Sequence, residues 1–97
     1  PDWMPQILLV SPLLIGEKLR DGQSGFSESF GGERAYWLSR ELAPLYQQVA
    51  YEEGCHFLDA GSVASVGTAD ALHLEEEGHR DLAAAMEAKV REIFQEA

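Results

Sequence analysis

The chain has 97 residues, enough for one small domain and not two. Hydrophobic residues make up 45% and charged residues 25%, a balance that excludes a disordered chain. Seventeen acidic against seven basic residues leave a formal charge of -10. Such a surface repels phosphates and anionic lipid, so neither nucleic acid nor a membrane surface is expected as a partner. Cys55 is the only cysteine, so no intrachain disulfide can form, and a cytoplasmic location is expected. The longest apolar runs, Ile7 to Val10 and Leu13 to Ile15, are far shorter than a membrane span.

Ile7-Leu8-Leu9-Val10 is a continuous apolar run between Pro5 and Ser11-Pro12. It predicts a strand buried on both faces that ends near Ser11, because Pro12 has no N–H for a ladder. Residues 16–32 hold five glycines and three serines and predict a long loop. Glu33 to Glu53 has helical periodicity, with Leu38, Leu42, Leu45, Tyr46 and Val49 expected on the core face. Pro44 is expected to kink this helix or split it, and Gly54 to end it. Cys55 to Leu58 predicts a second strand ending at Asp59, with Ala60 to Glu77 largely a loop. The last helix is expected from about Gly78 to Phe94, with an apolar stripe of Leu82, Met86, Val90, Ile93 and Phe94.

This order predicts an α/β fold, a β-α-β-α unit with parallel strands. Two parallel strands do not make a stable sheet alone, because such sheets need more strands and helices over both faces. Residues 1–97 are therefore expected to be a single partial domain that pairs with another segment, either an N-terminal half or a second chain.

The sharpest chemical constellation is Asp70-Ala71-Leu72-His73, followed by Gly78-His79. An Asp three residues before a His in a loop can accept a hydrogen bond from one imidazole nitrogen. The other nitrogen is then free to act as a general base. The competing reading is an Asp that caps a turn and a His satisfied by backbone, and spacing alone leaves both open. Gly22-Gln23-Ser24-Gly25-Phe26 fails as a nucleophile elbow: the last position is Phe and no strand precedes it. Ser11, Ser62 and Ser65 are expected to bond backbone. His79 is weighed as a metal partner of His56 or Asp70, and a surface histidine is preferred. Cys55 is expected to be a small core residue. Trp3, Phe30, Tyr36 and Trp37 suit an acyl or aryl pocket, core packing or a subunit interface.

The ordered segments resemble the C-terminal part of SGNH (GDSL-type) hydrolases. They are the strand Ile7-Leu-Leu-Val-Ser-Pro12, the helix around Leu42-Ala-Pro-Leu-Tyr46, the strand Phe57-Leu-Asp-Ala60, and Asp70-Ala-Leu-His73 with Gly78-His79. Phe30-Gly-Gly32 and Phe57-Leu-Asp-Ala-Gly-Ser-Val63 are most similar to the bacterial arylesterase and acyltransferase branch. The resemblance implies a three-layer parallel-sheet, flavodoxin-like fold. It also implies a serine esterase acting on small ester substrates, with His73 as general base and Asp70 as the acid that orients it. Neither a metal nor an organic cofactor is implied.

The family's serine and oxyanion residues have no counterpart here: there is no Gly-Asp-Ser-Leu block and no asparagine. Ala71-Leu72 stands where the family commonly has Gly-Ile. The resemblance thus places the nucleophile in an N-terminal segment or a separate chain. It also implies a homo-oligomer, with the 16–32 loop packing against neighbouring subunits. The rival expectation, drawn from the missing serine, is a non-catalytic α/β binding or interaction module.

Overall fold

A computed structural model describes residues 5–17, 31–68 and 72–96. Two strands, β1 (Leu8–Ser11) and β2 (His56–Asp59), form a parallel sheet with Leu8 opposite His56 and Ser11 opposite Asp59. Between them runs helix α1 (Gly32–Glu53). A short helix α2 (Ala60–Val63) follows β2, and the long helix α3 (Glu76–Glu96) comes last. The expected α/β order with parallel strands is present. The stretch after β2, expected to be largely a loop, begins with a helical turn. Its cause is local: the Asp59 carboxylate accepts from the Gly61 N–H at 3.1 Å, an N-cap that lets the chain turn directly out of the strand.

Helix α1 is not split at Pro44 but runs unbroken through it. Pro44 lies on an exposed side, where the carbonyl that loses its N–H partner can be hydrated. The helix ends as expected at Gly54, which takes φ +69°. There the Gly54 N–H reaches Tyr51 O and the Cys55 N–H reaches Ala50 O at 2.8 Å, the paired bonds of a Schellman cap.

The core face of α1 is not the leucine stripe. The buried residues are Tyr36, Ser39 and Ala50, while Leu38, Leu45 and Val49 are exposed. At 3.6 residues per turn, the two sets are rotated by about a third of a turn. Ser39 and Ala50 are small and let the helix axis come close to the rest of the chain, whereas Tyr36 is covered by the Arg40 guanidinium stacked on its ring. The strands differ from expectation for a related reason: Leu8, Leu9 and Val10 are only half-buried, and only Ser11 is buried. Two strands and these helices are too few to cover both faces. On α3 the expected stripe is likewise mostly open, with Ile93 buried, Leu82 half-buried, and Met86, Val90 and Phe94 exposed. No helix among the described residues is long and apolar enough to cross a membrane.

Candidate active site

Ser11 and Asp59 end the two strands side by side, so everything that follows them emerges at the carboxyl edge of the sheet. That edge is where α/β folds build sites. The Ser11 hydroxyl donates to Asp59 Oδ1 at 3.1 Å, a side-chain partner rather than the backbone expected for it. Ser62 does bond backbone, donating to the Asp59 carbonyl at 2.8 Å.

The chain after β1 is gripped from two sides. The Ile15 N–H donates to Ser39 Oγ at 3.1 Å, and Arg40 Nη1 donates to the Ile15 carbonyl at 3.0 Å. The Ser39 hydroxyl in turn donates to the Tyr36 carbonyl at 2.8 Å, and the Arg40 guanidinium stacks on the Tyr36 ring at 3.6 Å. On the other side, Leu14 lies against Gly61, where a Cβ would stand 2.8 Å from Leu14 Cγ. Neither Ser39 nor Arg40 is a site residue that sequence pattern reveals. The signal in the sequence is slight: a polar Ser39-Arg40-Glu41 run between the apolar segments Ala35–Leu38 and Leu42–Leu45.

The loop after α2 carries His73, the expected general base. Its frame is closed by one backbone bond, from the Gly67 N–H to the His73 carbonyl at 2.8 Å. Glu75 folds over Gly67, which has no side chain to obstruct it, and the Glu75 carbonyl accepts from the His79 N–H at 3.0 Å. Gly78 is buried at the first turn of α3 against the Ser65 carbonyl and Leu74. The trailing Gly-His block therefore docks the helix onto the loop: Gly78 by its missing side chain, His79 by its backbone. Beside this frame lies a cleft of about 270 Å³ lined by Ser65, Val66, Gly67, Thr68, Glu75 and Asp81 among others.

His73 is placed as expected on this loop, past the carboxyl end of β2, and its side chain is exposed. Asp70, its expected orienting partner, lies outside the described residues, as do Ala71, Trp3, Phe26 and Phe30. His79 is exposed, and His56 Nε2 sits 3.0 Å from Gln6 Oε1. Among the described residues no group of three or more His, Cys, Asp or Glu side chains is gathered to hold a metal. Cys55 is half-buried at the start of β2, its Sγ 3.9 Å from the Glu53 carbonyl. Of the aromatics, Tyr36 is buried beneath Arg40, and Trp37 is exposed and meets its ring edge-on with centroids 5.0 Å apart.

No protein-family model matches the chain, and no curated protein matches it. Solved structures do. A carbohydrate acetylesterase family member from Sinorhizobium meliloti is 36% identical with a TM-score of 0.79, over 94% of this chain and 40% of its own. A second carbohydrate acetylesterase from Sinorhizobium meliloti is 30% identical with a TM-score of 0.77, over 92% and 39%. The aryl esterase of M. smegmatis is 34% identical with a TM-score of 0.69, over 91% and 39%. The chain thus spans about two-fifths of the length of these structures, and the part it matches is the C-terminal portion of their α/β fold.

Proposed function

Because this chain has the C-terminal portion of an SGNH-type esterase fold, we propose that it supplies the base and orienting acid of a serine esterase whose nucleophile lies outside residues 1–97. The reading rests on one observation. Identity of 30–36% to esterases extends over nearly the whole chain, and His73 sits on the loop past the carboxyl end of β2.

In this reading a serine hydroxyl attacks the carbonyl carbon of a small ester. His73 takes the hydroxyl proton as the Ser O–C bond forms, then gives it to the departing alcohol as the ester C–O bond breaks. Water repeats the sequence on the acyl-enzyme, releasing the acid and restoring the serine. Asp70 holds the imidazole in one tautomer and stabilises its charged form without itself taking the proton. An alcohol in place of water makes the same site an acyltransferase. The substrate class is a short acyl or acetyl ester, as the names of the similar proteins suggest.

A second reading has one observation in its favour. The chain holds no Gly-Asp-Ser-Leu block and no asparagine for an oxyanion hole, as a non-catalytic module of this fold would not. The test is turnover of p-nitrophenyl acetate by the complex of this chain with a segment bearing the serine. His73→Ala is expected to cut the rate by about a thousandfold or more while leaving the complex intact. An unchanged rate in His73→Ala would refute the role given to His73 and favour the non-catalytic module.

A further inference from the structure

Helix α1 turns Tyr36, Ser39 and Ala50 inward. The side turned away from them carries a second pattern. Trp37, Pro44 and Tyr51 recur every seventh residue, with Leu38 and Leu45 at the same interval beside them. Arg34, Glu41 and Gln48 fill the alternate positions, so the row steps by three and four residues. That is the spacing of a seam between two paired helices. Every residue of the row is exposed, Trp37 by 49% and Tyr51 by 88%, with Leu45 beside them at 56%. The Trp37 indole N–H reaches Glu33 Oε1 at 3.5 Å, so covering the ring strands no donor. This side is not the flank on which Val49 and Tyr46 meet Leu9. Strands and helices added alongside would cover flanks, whereas the side turned away from the sheet stays open.

We propose that two copies of the chain meet along this seam, α1 against α1, antiparallel about a two-fold axis between Pro44 and Leu45. The proposal stands apart from the esterase reading. Charge sets the direction. Laid parallel, each Glu41 would face Glu41 and each Glu52 would face Glu52, which like charges oppose. Laid antiparallel about that axis, Glu41 stands opposite the partner's Gln48 and Leu38 opposite the partner's Tyr51. Arg34 then lies about 4.5 Å along the axis from the partner's Glu52, within reach of its carboxylate. The Gln48 amide donates to Glu52 Oε1 at 3.1 Å and holds that carboxylate at the seam. Two-fold symmetry makes every such contact twice, around an apolar centre of Pro44 and Leu45. Of the other acids on α1, Glu33 lies past the end of the partner's helix, and Glu53 is on the flank of Tyr46 and Val49. The rest of the net charge of -10 opposes association only weakly, because salt screens it beyond about 8 Å. One helix pair lies at the low end of specific interfaces, about 1,200 Å², so the dimer is reversible.

Sedimentation equilibrium of the full 97-residue chain over a series of loading concentrations tests the proposal. A wild-type dimer is expected. Trp37→Ser with Tyr51→Ser should weaken it about a hundredfold, and Arg34→Glu about tenfold. Arg34→Glu with Glu52→Arg exchanges the signs across the seam and should bring the dissociation constant back to within about threefold of wild type. A loss of folding cannot produce that rescue. Val49→Glu, on the flank, should leave the dimer unchanged. A chain that stays monomeric up to about 1 mM overturns the proposal. So does a dimer indifferent to the paired change at Trp37 and Tyr51, or one that Val49→Glu dissociates. A charge exchange that fails to restore what Arg34→Glu removes overturns the antiparallel seam as well.

Discussion

The Ser11 hydroxyl and the Asp59 carboxylate, 48 residues apart in sequence, meet at 3.1 Å across the ends of the two strands. The same carboxylate oxygen caps α2 through the Gly61 N–H. One side chain thus ties the register of the sheet to the start of the segment that carries His73. Asp59→Ala is expected to cost about 1–2 kcal/mol, because it strips a cap and leaves the buried Ser11 hydroxyl without its acceptor. Asp59→Asn keeps one acceptor oxygen and should cost less than half as much. Urea midpoints of the two variants at equal slope check the order.

Two glycines should respond to alanine for different reasons. At Gly78 the new methyl would stand 2.7 Å from Leu74 Cδ2 and 2.9 Å from the Ser65 carbonyl. Overpacking of about 1–3 kcal/mol then outweighs the helix propensity gain of at most about 1 kcal/mol. At Gly54 nothing lies within 4 Å, so the cost is only that of φ +69°, about 1–2 kcal/mol. Gly54→Asn should recover most of that cost, whereas Gly78→Asn should recover none. Thermal unfolding of the four variants distinguishes the two causes.

The grip on Ile15 makes Arg40→Lys a non-conservative change. Arg40 spans the Ile15 and Tyr36 carbonyls at 3.0 and 2.9 Å while lying flat on the Tyr36 ring. A lysine ammonium cannot do both. Loss of about 1 kcal/mol is expected, with faster amide exchange at Ile15 in particular. Ser39→Ala removes the acceptor for that N–H and should expose the same amide. Exchange rates at Ile15 that match wild type in both variants would contradict the grip.

Exposed ion pairs on α3 should matter little. Arg80 with Glu76 and Arg91 with Glu87 are spaced i, i+4, with the acid nearer the N-terminus. That is the better orientation, yet such pairs contribute only about 0.3–0.5 kcal/mol. Glu87→Gln should shift the unfolding midpoint by no more than that, and the shift should vanish in molar salt.

The order of elements and the parallel pairing were legible because they follow from apolar runs, glycine stops and helical spacing. So was the place of His73, since a loop after a strand's carboxyl end needs no side-chain detail. Which face of α1 meets the sheet was not legible. Periodicity reports that Leu38, Leu45 and Val49 are apolar, not what covers them, and a helix with two apolar sectors misleads any search for one stripe. The Ser39 and Arg40 grip was hidden for a different reason. It joins residues 24 and 25 positions apart, a tertiary contact with no local signature. The helical turn at Ala60–Val63 is too short for periodicity, although its cap residue, Asp59, was already marked as a strand end.

The bond from the Gly67 N–H to the His73 carbonyl also bears on how such a segment can change over generations. It joins the segment that leaves α2 to the segment that enters α3 at a single shared junction, so the two are coupled in inheritance as well as in space. A change that removes the Gly67 N–H or shifts the His73 carbonyl should loosen both segments together, and the two ends of the loop are therefore expected to change in concert rather than one at a time.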